Sequence, residues 1–252
     1  MIENMRRVWI PVFSLAIVGF VAPAREQLTT VSPSLEAAEG LDLHAVSELF
    51  KSSENPETFE KALNDPETGV NNLDLDGNGE VDYIRVVEEV SGDTRVMILQ
   101  ASLSEKEFQD VATIEVEKAG EKQYNMQVRG DEVIYGTQYY VAPVDVNIHL
   151  WPSVVRLYRP AYRPYRSVYY FGHYPRWWRP LRPVTVNVYR TRTVRLKGKN
   201  FTVVHKGRVG SASKLRYKHH SSTLVKKQTT VTRTKGGKKT TVTKTKTKRR
   251  GK

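Results

Sequence analysis

The chain has 252 residues, with 40 lysines and arginines against 27 aspartates and glutamates, and no cysteine. The absence of cysteine excludes disulfide bonds and a lipid-modified cysteine, so the fold must depend on its core or on a bound metal. The charge is uneven: residues 25–150 contain 9 basic and 26 acidic residues, whereas 151–252 contain 29 basic and no acidic residues. This asymmetry suggests that the basic part meets an anionic partner: a polymer, a membrane surface or the acidic half of another copy.

The first 24 residues have the pattern of a cleaved secretory signal peptide. Arg6 and Arg7 precede an apolar stretch from Val8 to Val21, and 22–24 supplies the small residues of a cleavage site. An uncleaved membrane anchor is the alternative, but the run of 14 residues is shorter than the roughly 20 that span a bilayer. We therefore expect export to the periplasm, the outer envelope or the extracellular space, with no transmembrane segment after cleavage.

The sequence predicts a polar linker at 25–40 and an acidic α+β domain at 41–150. Asp42 and Asn55 are candidate N-caps for two short helices that end near residues 51 and 63. Strands are predicted at 81–90 and 95–103, joined by a turn, and further strands at 112–116, 124–129 and 133–141. The expected fold is two short N-terminal helices with a small antiparallel β-sheet, followed by a largely irregular or disordered basic tail.

Residues 151–210 form an Arg/Tyr/Trp/Pro-rich basic segment. Four Arg-Pro pairs between 159 and 183 block a regular helix and favour extended backbone. Alternating valines at 184–188, with Phe201 and Val203, predict a small hairpin around Gly198. The aromatic and arginine side chains have two interpretations: they stack on bases or sugars and neutralise phosphates, or they pack on the acidic domain's sheet or on another protein.

Residues 211–252 are rich in lysine and threonine and contain almost no large apolar residue. Such a composition cannot bury enough surface to offset chain entropy, so it predicts a disordered, solvated tail.

Two stretches of the sequence are distinctive. The first consists of Phe59-Glu60-Lys61-Ala62-Leu63-Asn64 followed by residues 69–76 and 81–86. The second is the tyrosine-, tryptophan- and Arg-Pro-rich stretch 158–183. Together they resemble a family of exported proteins from Bacteroidetes-type bacteria. The likeness covers about residues 41–190. It implies an envelope or secreted location and nothing about activity.

Residues 74–82 match the pattern D-x-D-x-N-G-x-x-D. The ligands of a weak Ca²⁺ site in this pattern are Asp74, Asp76, Asn78, Glu80 through its backbone carbonyl, and Asp82 directly or through water. The loop also resembles the calcium loops that precede strands in integrin-type propeller repeats. Arg85 stands where an EF-hand has its bidentate glutamate, which predicts affinities of about 10⁻⁴–10⁻³ M. The alternative is an Asn/Asp/Gly turn that binds no ion.

No motif for nucleophilic, metal-dependent or phosphate-binding catalysis was found, so the chain is not expected to be an enzyme. The leading hypothesis is a non-enzymatic, envelope-associated binding or structural protein whose polycationic part docks on anionic envelope polymers or lipid headgroups. The alternatives are a nucleic-acid binder, for example of extracellular DNA, and a hydrolase with an unrecognised site. The residues expected to contact an anionic partner are Arg159, Arg163, Arg166, Arg176, Arg179, Arg182, Lys248, Arg249 and Arg250.

Overall fold

A computed structural model describes residues 29–31, 39–105, 107–135, 139–144, 147–218, 224–235 and 238–249. The predicted signal peptide, 1–24, and most of the predicted linker, 25–40, lie outside the described residues.

The described residues form nine strands and six α-helices. The strands are β1 (Thr29–Val31), β2 (Ile84–Ser91), β3 (Thr94–Ser104), β4 (Glu107–Lys118), β5 (Tyr124–Gly130), β6 (Tyr140–Pro143), β7 (Phe201–Val204), β8 (Leu224–Lys235) and β9 (Lys238–Arg249). The helices are α1 (Leu43–Ser52), α2 (Pro56–Asn64), α3 (Glu132–Tyr135), α4 (Pro152–Leu157), α5 (Val186–Val194) and α6 (Ala212–Lys218).

Both predicted N-caps are present. The Asp42 side chain accepts hydrogen bonds from the backbone at the start of α1. Asn55 and Thr58 form a reciprocal capping box at the start of α2, which Pro56 opens. These contacts satisfy backbone donors that a helix leaves unpaired at its first turn, so the local sequence is enough to fix where both helices begin.

Strands β2 to β7 form one six-stranded antiparallel sheet in chain order. This confirms the α+β class, but the sheet is larger than predicted. The predicted strand 133–141 was wrong in its first part, because 132–135 is the short helix α3 and the strand begins at Tyr140.

The sheet is covered on both faces, which is why β3 is buried along almost its whole length. Met97 and Leu99 face the main core, together with Phe50 of α1 and Phe59 of α2. The opposite face is covered in part by α6, whose buried side chains form a second cluster with strand β3. That cluster contains Val96, Ile98, Val209, Ala212 and Leu215.

The basic segment 151–210 is largely irregular between 158 and 185, as the sequence predicts, but it is packed into the fold and is not a tail. Trp151, Leu157 and Phe201 belong to the same core cluster as the helices of the acidic part. Strand β7 pairs with β6 and completes the sheet. Helices are therefore not confined to the N-terminal part, since α4 to α6 all lie beyond residue 151.

The predicted hairpin around Gly198 is wrong, because 186–194 forms α5. Tyr189 on this helix is 2% exposed, and its hydroxyl donates to the carbonyl of Val70 at 2.6 Å. The same oxygen accepts from the backbone N–H of Asp42 at 2.7 Å. This tertiary anchor outweighs the β-propensity of the alternating valines.

The disorder predicted beyond residue 211 is wrong for α6, which packs on the sheet through Ala212 and Leu215. Farther on, β8 and β9 pair with each other, and β8 also pairs with β1. The threonine- and lysine-rich composition predicts an irregular chain there, but alternating threonines also suit a pleated strand.

Candidate functional site

The acidic loop, which we define as residues 74–82, is closed by its own side-chain oxygens. Asp74 Oδ1 accepts hydrogen bonds from the backbone N–H groups of Gly77 at 2.7 Å and Asn78 at 3.1 Å, and its Oδ2 accepts from Gly79 at 3.0 Å. Asp76 Oδ1 accepts from the N–H of Asn78 at 3.0 Å. Gly77 and Gly79 have φ of 75° and 85°, which glycine adopts without steric cost.

Three further positions complete the loop. Asn78 Oδ1 accepts from the N–H of Glu80 at 2.7 Å. Asp82 is 6% exposed, and its Oδ2 accepts from the N–H of Leu75 at 2.6 Å. The backbone N–H of Asp82 donates to the carbonyl of Leu73 at 2.7 Å. All five predicted ligands thus lie on one closed loop, and Asp82 also joins its two ends.

The carboxylates of the acidic loop are not arranged as a cage for a metal ion. Among the described residues, no group of three or more His, Cys, Asp or Glu side chains has an arrangement that could hold a metal ion. A calcium ion would therefore depend also on the amide oxygen of Asn78 and on the backbone carbonyl of Glu80. An oxygen that accepts one N–H hydrogen bond keeps a second lone pair, through which it could coordinate a cation.

The aromatic segment, which we define as residues 151–183, adds to the free edge of β2. The backbone N–H of Glu88 donates to the carbonyl of Tyr165 at 2.7 Å, and the N–H of Ser167 donates to the carbonyl of Val86 at 2.9 Å. Val87 and Arg166 form the antiparallel bridge between these bonds. The edge of the sheet is therefore covered by a later part of the same chain.

Two buried carboxylates fasten this segment, and the first is Glu60 of α2, which is 1% exposed. Its Oε1 accepts from the hydroxyls of Tyr83 at 2.8 Å and Ser167 at 2.7 Å, and its Oε2 accepts from the N–H of Val86 at 2.7 Å. Burial raises the pKa of Glu60, and these hydrogen bonds oppose the rise.

The second buried carboxylate is Glu88 of β2, which is 3% exposed. Its Oε2 accepts from the hydroxyl of Tyr162 at 2.5 Å and from the N–H of Tyr165 at 2.9 Å. Its Oε1 is buried and has no hydrogen-bond partner among the described residues. Burial raises the pKa of Glu88 as well, with the Tyr162 hydrogen bond as the largest opposing effect.

A cleft of about 600 Å³ lies between the acidic loop and the aromatic segment. Its acidic wall contains Asp76, Asn78, Glu80 and Asp82. The opposite wall contains Phe171, Tyr174, Arg176, Trp178 and Arg179, and the buried Tyr83 and Ser102 also line the cleft. Residues about 100 positions apart are thus brought to one site.

The predicted arginines do not form one cluster. Arg176 and Arg179 line the cleft, and Arg179 donates to the backbone carbonyls of Arg176 and Trp178 at 2.9 and 2.8 Å. Arg166 pairs with Glu89 at 3.1 Å. The other predicted arginines of the aromatic segment are exposed, namely Arg159, Arg163 and Arg182. Lys248 and Arg249 lie on β9 without described side chains, and Arg250 lies outside the described residues.

Sequence reasoning missed Glu60, Glu88, Ser102 and the cleft. Glu60 lies on the buried face of its helix, beside Phe59 and Leu63. The neighbouring sequence does not show that its carboxylate will be bound by a tyrosine and a serine 105 and 107 residues later. One signal was available, since buried glutamates need donors and the aromatic segment supplies several tyrosine hydroxyls.

No protein-family model, no curated protein and no solved structure matches this chain. In the part of the chain that the structure describes, none of the helices has the length and apolar character needed to cross a membrane.

Proposed function

We propose that the protein is an exported, non-enzymatic binding protein of the cell envelope that attaches to anionic surface polymers through exposed arginines of the aromatic segment. The observation that supports this most is the division of the basic residues into two sets. One set pairs with acidic residues of the same chain, and the other is exposed and forms no ion pair with a described residue.

The neutralising set consists of residues from the basic part that pair with residues of the acidic part. The ion pairs are Arg166–Glu89, Arg190–Glu39, Lys197–Asp42 and Arg216–Glu115. The uneven charge of the sequence suggests the acidic half of another copy as one anionic partner for the basic part. These ion pairs show that the basic part binds in part to the acidic half of its own chain. These four cations are already engaged with carboxylates.

The projecting set is formed by Arg159, Arg163 and Arg182, which are exposed on a segment held by the sheet edge and by Glu60 and Glu88. Because the backbone of this segment is anchored, little backbone conformational entropy is lost when a partner binds. A polyanion bound by these guanidinium groups releases its condensed counterions, and binding of this kind weakens steeply as salt is added.

We also propose that the acidic loop binds Ca²⁺ weakly. The support is that its N–H groups orient Asp74, Asp76 and Asn78 along one tight turn, with Gly77 and Gly79 in left-handed conformation. The expected affinity is weak, about 10⁻⁴–10⁻³ M, because Arg85 stands where an EF-hand has its bidentate glutamate.

The attachment is tested by titrating the full chain with dextran sulfate, with uncharged dextran as the control. We expect binding to dextran sulfate alone, with the logarithm of the association constant falling linearly as the logarithm of salt concentration rises. The triple variant Arg159→Gln, Arg163→Gln, Arg182→Gln should lower that slope by roughly two to three. Arg190→Gln, which removes a cation that pairs with Glu39, is the matched control and should leave the slope unchanged.

Parallel titrations with duplex DNA and with phosphatidylglycerol vesicles separate the other hypotheses. Tighter binding to DNA than to dextran sulfate at equal salt would favour the nucleic-acid function. Preference for the vesicles would favour lipid headgroups. An unchanged slope in the triple variant would contradict the role of these arginines.

A further inference from the structure

We propose that the cleft between the acidic loop and the aromatic segment is a binding site for a neutral saccharide. Its volume of about 600 Å³ falls within the range of roughly 300–1,000 Å³ typical of small-molecule sites. This goes beyond the proposed function, because Arg159, Arg163 and Arg182 lie outside the cleft lining. An experiment that contradicts polymer docking therefore leaves saccharide binding untouched, and the reverse also holds.

One wall of the cleft is aromatic and well supported. Tyr174 is half-buried and packs on Trp178 and Tyr83, with ring centroids 4.5 and 5.7 Å apart. Trp178 and Tyr83 are 6% and 1% exposed, so they hold Tyr174 in place. Phe171, which is 36% exposed, extends this wall toward solvent. A pyranose ring has a face of C–H bonds that packs on such a surface, and a preformed wall keeps the entropic cost of binding low.

The two walls together supply hydrogen-bonding groups of both kinds. The carboxylates of Asp76 and Glu80 and the amide of Asn78 lie on the acidic loop, and the guanidinium groups of Arg176 and Arg179 lie across the cleft. Carboxylates only accept hydrogen bonds and guanidinium groups only donate them, whereas a hydroxyl does both. A ligand with several hydroxyls can therefore satisfy both walls at once.

Ser102 on β3 places a buried hydroxyl in the lining of the cleft. It is 2% exposed and lies in the cleft lining, yet its hydroxyl has no hydrogen-bond partner among the described residues. Buried polar groups in folded proteins nearly always have a partner. A ligand hydroxyl at the base of the cleft would provide one.

The charges of the cleft disfavour the other small ligands. Arg176 and Arg179 oppose an organic cation such as an amino sugar, and the carboxylates of Asp76, Glu80 and Asp82 oppose an organic anion. A nucleotide could stack on the aromatic wall, but its phosphates would meet those three carboxylates. A neutral, hydroxyl-rich ligand with an apolar face is the class that remains.

The test titrates the full chain by calorimetry with maltose, cellobiose and N,N′-diacetylchitobiose, and with glucosamine and glucuronate as charged comparisons. We expect at least one neutral disaccharide to bind saturably with a dissociation constant of about 1 mM or tighter. Phe171→Ala and Glu80→Gln should each weaken that binding at least about tenfold. Both side chains are exposed, so thermal melting is expected to show an intact fold.

Matched controls come from residues outside the cleft lining. Tyr170→Ala removes an exposed ring from the same stretch, and Glu67→Gln removes an exposed carboxylate, and neither should change the affinity. The proposal is overturned if no neutral disaccharide binds at about 10 mM, if only a charged sugar binds, or if the two cleft variants bind like the wild type. Dextran sulfate binding measured on the same preparation shows whether the proposed function survives that result.

Discussion

The hydroxyl of Ser167 donates a hydrogen bond of 2.7 Å to the carboxylate of Glu60, which lies 107 positions earlier in the chain. This bond joins the acidic part to the aromatic segment inside the protein. The same carboxylate accepts from Tyr83 and from the backbone of Val86, so α2, the start of β2 and the aromatic segment all meet at one buried group. The two oppositely charged parts of the sequence therefore fold as one unit.

Replacing Glu60 by alanine should destabilise the protein strongly. The hydroxyls of Tyr83 and Ser167 and the N–H of Val86 would lose their acceptor in a buried site. A buried donor left without a partner costs about 1–3 kcal/mol, so we expect the free energy of unfolding to fall by at least about 3 kcal/mol. Urea denaturation followed by circular dichroism measures this change.

Glu57→Ala is the control for that variant, because Glu57 is an exposed residue of the same helix. Its effect should stay within about 0.5 kcal/mol. Equal stability losses in the two variants would show that the buried hydrogen-bond network does not stabilise the fold.

Glu88 should make the protein less stable as the pH rises. Burial raises its pKa above the ordinary value of 4.5, against opposing effects from Tyr162, Tyr165 and Arg95, and Glu89 adds to the rise. For an acid with a raised pKa in the folded state, the stabilising contribution is complete below the unfolded pKa and is lost as pH rises through the folded pKa. We expect Glu88→Gln to remove this loss, although Glu60 titrates in the same direction and remains.

The measurement is urea denaturation of the wild type and Glu88→Gln at several pH values from about 4.5 to 8. Any packing cost of the amide is the same at every pH, so the difference in slope isolates the carboxyl group. Parallel curves for the two proteins would mean that Glu88 ionises in the folded protein as it does in the unfolded chain.

A calcium titration tests the acidic loop. We expect saturable heat with a dissociation constant of about 10⁻⁴–10⁻³ M in the full chain. Asp76→Asn should abolish it, because the amide can still accept the hydrogen bond from Asn78 while the charge is removed. Asp93→Asn, at an exposed position of the β2–β3 turn, is the control and should titrate like the wild type.

Thermal melting gives a second readout of the same site. Calcium at ten times its dissociation constant should stabilise the folded state by about 1.4 kcal/mol. If calcium produces neither heat nor a change in melting temperature, the acidic loop is a turn that binds no ion.

The sequence predicts well what neighbouring residues determine. Asp42 and Asn55 cap their helices, and the turn at Gly92 joins β2 and β3, because capping and turn chemistry act over a few positions. The conformation of the acidic loop is determined locally as well, because Asp74 accepts hydrogen bonds from the backbone of Gly77 and Gly79.

The long-range contacts could not be predicted from those local rules. Residues 186–194 form a helix that depends on hydrogen bonds of the Tyr189 hydroxyl. Its partners are the carbonyl of Val70 and the N–H of Asp42, which lie 119 and 147 positions away in the chain. The cleft likewise depends on the docking of 165–167 at the edge of β2, which brings Tyr174 and Trp178 over Tyr83. No periodicity in either stretch indicates its partner.

The pairing of Arg216 with Glu115 should stabilise the packing of α6 on the sheet. Glu115 is fully buried, and it also accepts from Thr113 at 2.8 Å and from Gln127 at 2.6 Å. Arg216→Met would leave a buried carboxylate without its cation, which typically costs about 3–5 kcal/mol. Arg190→Met breaks an exposed pair and should cost less than about 1 kcal/mol. Equal losses in urea denaturation would show that α6 contributes no more to stability than a surface contact.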